Sequence, residues 1–443
     1  MPNTESLHVL SLKSQMSRLF KIRLSFFAVA VVFAALTNAQ QCYAQAENPE
    51  VQYKLAAGFY ERGQWEEASQ ALGDFITQHP NVARTPDASF FLAETLMQQH
   101  LFKAAYVHYQ QFLKKFAAHP LAVRAMFRMG ESAFRDNNTQ IAIRMLEEFS
   151  RKYPQHELNQ YAFSYLGQLR LVRSEPQLAQ RAFERSLQTY PNGAMSVESR
   201  LGLGNAMMKQ GYLQEAKRLF EYCASQDQGP IQGQSSVADE ARLQLGLVAL
   251  YQQPADHAEA QKWFAMVAGN AGSANIRATA VLSWARSIGE TKPNEAFTLL
   301  EPVVGWELPT AIKIDLLIES AIAASKTGRT ELAIGWLQQV RAIKPLNQKI
   351  LDAVRFEMRL LETQDRIPAA IELAEEFNLE VEKRTLIATS QEANGRRQYS
   401  NGDFEASLDT FSTLLTLQNT EAEQQMTWRY FEALSYILSL IHI

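Results

Sequence analysis

The sequence predicts an all-α chain, a right-handed superhelical solenoid of about ten antiparallel helical hairpins. Three observations predict it. Ala68, Ala105, Ala142, Ala179 and Ala216 recur at a constant step of 37 residues. Twelve residues before each stands another small residue, namely Ala56, Ala93, Gly130, Gly167 and Gly204. Four residues after each stands a large apolar one: Leu72, Tyr109, Leu146, Phe183 and Phe220. Two antiparallel helices approach closely only where small residues face each other at the crossing, and large residues three or four positions away fill the space beside it. The 443 residues include only 20 Gly and 15 Pro, and 47% are hydrophobic, enough apolar surface to offset the entropy of ordering the chain.

The segments follow in order. Residues 1–46 read as an export signal: Lys13, Arg18, Lys21 and Arg23 precede an apolar run from Leu24 to Leu36, and Ala44-Gln45-Ala46 supplies a small-x-small cleavage site. The run is too short for a stable bilayer anchor. Translation from Met16 would place the basic segment directly before the run. Ala39-Gln40-Gln41 before Cys42 do not make a lipidation site, and removal of the segment leaves Cys223 as the only thiol, which excludes an intramolecular disulfide. Four of the 43 basic and one of the 47 acidic residues lie in 1–46, so the remainder carries a net charge of −7, an acidic balance that argues against nucleic acid as a partner.

Residues 47–224 carry the five regular hairpins. Pro80, Pro154 and Pro191 end second helices, and Gly63 and Gly211, with Gly328 and Gly402 further on, mark tight turns between helices. Residues 225–236 form a polar linker. Residues 237–437 hold divergent hairpins six to ten and the start of an eleventh. Ala260 with Phe264, Ala296 with Leu300, Ala333 with Leu337, Ala370 with Ala374, and Ser407 with Phe411 take the recurring pair of positions. The small-residue slot keeps Ala321 and Gly395 but holds Val248, Trp284 and Met358 in hairpins six, seven and nine. Residues 438–443 read as a non-native tail similar to a translated transposon end, so the natural C-terminus is expected to lie elsewhere.

This pattern resembles the tetratricopeptide repeat, whose signature is a small residue, Ala twelve later, an aromatic four beyond it and Pro twelve after the Ala. The resemblance covers about residues 51–417. The longer 37-residue unit places its extra residues between hairpins, as in Asn81 to Pro86, and is similar to that of bacterial periplasmic members such as the tetratricopeptide protein of the Tol-Pal system. The resemblance implies a periplasmic or secreted scaffold that binds a protein or peptide in its concave groove and meets a membrane only through partners. A different class remains open: the helical arm of a cell-wall-active enzyme whose catalytic domain lies beyond residue 443.

The residues suggest no enzyme, cofactor or metal site. The eight histidines contain no HExxH and no pair with a cysteine at ligand spacing, and no strand precedes Gly202-Leu203-Gly204 as a phosphate loop requires. His100 and His108, and the acidic pairs Glu66-Glu67, Glu147-Glu148 and Glu375-Glu376, read as solvated groups. Cys223, at a position held by Phe75, Phe112 and Phe149 in earlier hairpins, reads as core. Binding candidates lie on the first helices, three before and four after each small residue: Tyr53, Tyr60, Phe90, Met97, Phe127 and Phe134. On the repeat geometry these would face one groove as an aromatic strip, although a small rotation of the helices would turn them into core.

Overall fold

A computed structural model of the chain describes residues 48–226, 236–417 and 422–441. All regular structure among the described residues is helical, with 21 α-helices, one short 3-10 turn and no strand. The export signal and most of the polar linker lie outside the described residues, as do His442 and Ile443 of the tail.

The chain divides into two compact units, residues 1–210 and 211–443. The first holds α1 (Pro49–Glu61), α2 (Trp65–Gln78), α3 (Thr85–Gln98), α4 (Phe102–Lys115), α5 (Ala122–Arg135), α6 (Thr139–Lys152), α7 (Asn159–Val172), α8 (Pro176–Thr189) and α9 (Ser196–Lys209). From α3 on, first helices begin every 37 residues, and second helices keep the same step from α2. Local chemistry sets the ends. Asn48 caps α1 by accepting a hydrogen bond from the Glu50 amide, Asn138 caps α6 through the Ile141 amide, and Pro176 opens α8 where its missing N–H costs nothing. Lys114 and Lys115, then Arg151 and Lys152, sit in last turns, where they oppose the helix dipole.

Each hairpin turn in this unit passes through one left-handed residue at a fixed repeat position: Gly63, His100, Asn137 and Ser174, with φ of 71°, 59°, 57° and 59°. Only glycine adopts that conformation without a Cβ penalty, so the glycine expected from the pattern appears where the turn needs it, and three other residues carry some strain. Between the helices, Ala56, Ala68, Ala93, Ala105, Ala142 and Ala179 are fully buried. The small-to-large pairing holds as contact: a Cβ on Gly130 would meet Leu146, and one on Gly167 would come within 2.5 Å of the Phe183 ring.

The second unit runs from α10 (Leu213–Ser225) through α11 (Val237–Tyr251), α12 (His257–Asn270), α13 (Ala274–Ile288), α14 (Pro293–Leu300), α15 (Thr310–Lys326), α16 (Thr330–Arg341), α17 (Gln348–Thr363), α18 (Ile367–Glu376), α19 (Glu380–Asn401) and α20 (Phe404–Leu415) to α21 (Ala422–Ile441). Cys223 is fully buried, as a core residue should be. The register of the sixth hairpin differs from the expected one. A Cβ at Gly246, not Val248, would collide with Phe264, at 2.4 Å. The connection between α11 and α12 spans residues 252–256, two more than the three-residue turns of the first unit, and the slot moves back by the same two positions.

Candidate functional site

The first helices of three successive hairpins, α3, α5 and α7, share a network of buried charge. Glu94 on α3 is 2% exposed. It accepts hydrogen bonds from the Tyr109 hydroxyl, from Arg124 Nη2 at 3.1 Å and from Arg128 Nη2 at 3.2 Å. Arg128 then donates through Nη1 to Glu131, one turn along α5, at 2.6 Å. Glu131 also accepts from the Tyr165 hydroxyl of α7 at 3.3 Å, and Arg135 lies 3.7 Å from it. Buried carboxylates are tolerated only when ringed by such donors, so the network holds the three helices in one arrangement.

Electrostatics follow from that enclosure. Burial, reinforced by Glu94, pushes the Tyr109 hydroxyl well above the usual tyrosine range. Burial with Glu131 beside it pushes Tyr165 up to about 12. Burial works against the charge of Arg128, but Glu94 and Glu131 more than offset it and hold the guanidinium protonated. The two tyrosines therefore stay neutral and Arg128 stays charged near neutral pH.

Against this network opens a cleft of about 550 Å³ between α5 and α7. Arg124, Arg128, His156, Glu157, Tyr161 and Tyr165 are among the residues that line it. The Arg124 side chain is half-exposed and anchored at Glu94, which leaves donors free toward solvent.

The structure separates the six aromatic and methionine candidates into two sets. Phe90 and Phe127 are 0% and 3% exposed, so they belong to the core and not to an open strip. The residue three before the small one turns inward against the second helix of its own hairpin. Phe90 meets Phe112 at 5.8 Å, Phe127 meets Phe149 at 5.6 Å, and half-buried Tyr53 meets Phe75 at 5.8 Å between ring centroids. The other three, Tyr60, Met97 and Phe134, are partly buried, as Tyr53 is, and differ in facing the next hairpin. Tyr60 packs on Phe91 of the next hairpin at 5.1 Å, and Phe134 stacks on Tyr165 at 4.4 Å with ring planes 13° apart. The residues missed were Glu94, Arg124, Arg128, Glu131 and Tyr165. A signal was present: Glu94 and Glu131 each directly follow the small residue at the helix crossing, a place where a solvated charge has no room.

His100 is exposed, whereas His108 is half-buried, and burial pushes its imidazole below the usual value. Glu66, Glu67, Glu375 and Glu376 are exposed as expected. No group of three potential metal ligands occurs among the described residues, and no described helix is long and apolar enough to cross a membrane.

The tetratricopeptide repeat family model matches residues 50–81, which span α1 and α2, and residues 124–156, which span most of α5 and α6. No curated protein matches the chain. Similar solved structures include a tetratricopeptide repeat protein from Parabacteroides merdae, 15% identical, with a TM-score of 0.41 over 70% of this chain and 98% of that one. They include MamA from Desulfovibrio magneticus, 17% identical, with a TM-score of 0.36 over 41% of this chain and 98% of that one. PilF from Pseudomonas aeruginosa is 20% identical, with a TM-score of 0.38 over 51% of this chain and 92% of that one.

Proposed function

We propose that the chain is a non-catalytic scaffold whose first helices form a concave groove for a protein or peptide partner, with the cleft between α5 and α7 as its anchoring point. Tetratricopeptide repeats generally serve as surfaces for protein partners, and the matched repeats include the helix that carries Arg124, Arg128 and Glu131. The observation that carries the reading is the buried network from Glu94 to Tyr165. It anchors Tyr165 and the half-exposed Arg124 beside an open cleft that Tyr161 also lines, and pre-organised aromatic and arginine groups are the residues that dominate binding energy.

The test is a partner captured with the full chain and then measured quantitatively. Single replacements Arg124→Ala and Tyr161→Ala should each weaken its binding by about 1 to 2 kcal/mol while helicity is retained. Unchanged affinity in both variants would overturn the assignment of the cleft. The basic segment, apolar run and Ala44-Gln45-Ala46 support export, hence a periplasmic or secreted location and a role at the cell envelope. N-terminal sequencing of exported protein should begin at Glu47, and a start at Met1 or Met16 would refute that placement.

A further inference from the structure

A second pocket lies on a different face of the first unit, between the second helices α6 and α8, with α7 as its floor and a volume of about 520 Å³. The repeat explains why it is there. Eight residues after the recurring alanine, the first, second and fourth hairpins place Ile76, Leu113 and Leu187, and the fifth places Ala224. The third places Ser150, which leaves room where a branched side chain would fill the gap against the next hairpin. Ser150 is 4% exposed, and its Oγ has no hydrogen-bond partner. A buried hydroxyl without a partner is costly and points to a group that supplies one.

Arg151, Arg181 and Arg185 surround the same space. None of the three has a carboxylate partner among the described residues, and the Arg185 guanidinium lies 4.6 Å from the Phe163 ring centroid. The one acid at the pocket, Glu147, is engaged by Arg170 of α7. Arg151 on α6 and Arg181 and Arg185 on α8 are exposed cations that line one pocket, and guanidinium forks match the several oxygens of a phosphate. The space exceeds what a bare phosphate fills, so an organic portion would lie over Phe163 and Leu166. We propose that this pocket binds a phosphate monoester: Arg151, Arg181 and Arg185 take the phosphoryl oxygens, and the Ser150 hydroxyl donates to one of them.

The full chain is titrated calorimetrically with phenyl phosphate and with inorganic phosphate, and sedimented with phosphatidylcholine vesicles with and without phosphatidic acid. Phenyl phosphate should bind more tightly than inorganic phosphate. Ser150→Leu, which restores the residue type of neighbouring hairpins and so preserves the fold, should weaken binding by about tenfold or more. The double variant Arg181→Gln with Arg185→Gln should do the same by removing the charge without filling the space. Sedimentation with phosphatidic acid vesicles, lost in both variants, would identify the source as a lipid headgroup. Binding of phenyl phosphate without vesicle binding would identify a soluble ester. If neither probe binds the native chain, or both variants bind as it does, the proposal fails.

Discussion

Three glutamates on first helices are nearly withdrawn from water, and their surroundings differ in a way that has consequences for pH. Glu94 and Glu131 are each met by at least one arginine and a tyrosine hydroxyl. Glu357 on α17, 2% exposed, has Arg341 Nε 3.3 Å away, but the approach is too poorly aligned for its Oε2 to accept a hydrogen bond. Burial therefore raises the Glu357 carboxyl above its ordinary value of 4.5, with Arg341 and Gln338 pulling the other way. The sign follows from linkage. A carboxyl whose value is raised in the folded state takes up a proton on folding, so its contribution to stability is fully present at low pH and is lost as pH rises from about 4.5 through the folded value. Glu357→Gln should remove that loss, and urea denaturation between pH 4.5 and 7 should show a flatter dependence for the variant than for the native chain. Parallel profiles would mean that Arg341 already satisfies the carboxylate.

At the level of helices and turns, the sequence was informative wherever a steric requirement selects the residue. The 37-residue step, the Gly130–Leu146 and Gly167–Phe183 crossings and the turn glycine at 63 are all of this kind, because only a small side chain or a left-handed residue fits. The turn position was illegible at His100, Asn137 and Ser174, where surrounding hairpin packing imposes φ near 60° on residues that do not announce it. The sixth crossing was misplaced for a simpler reason: two extra residues in the turn at 252–256 shift Gly246 into the slot. The binding face was the least legible part. Phe90 and Tyr60 lie seven residues from their counterparts in the same strip, nearly two helical turns, and periodicity alone could not say that one side of that strip turns in toward Phe112 while the other meets the next hairpin. The charges at Glu94 and Glu131 were legible only through their place beside the small residues Ala93 and Gly130, whereas their arginine and tyrosine partners, 30 or more residues away in most cases, left no local mark.

At the scale of the molecule, each unit is a stack in which helices pack against those one or two places along the chain. Stability in such an array is close to a sum of hairpin and nearest-neighbour terms, so damage should remain local. Phe183 offers a direct test. Its ring is wedged between two first helices, and a Cβ would come within 2.5 Å of it from Gly167 and 2.3 Å from Gly202. A ring fixed on both sides cannot move aside, unlike the flexible end of Leu146 that faces Gly130 at 2.9 Å. Gly167→Ala should therefore cost about 1 to 3 kcal/mol through forced displacement of helices, outweighing the gain alanine normally brings to a helix interior. Hydrogen exchange should show where that cost falls. Amides of α5 to α9 should lose protection in the variant, while those of α13 to α18 keep the protection they have in the native chain. An even loss across both units would show that the chain unfolds as one cooperative block, and the nearest-neighbour description would then be wrong.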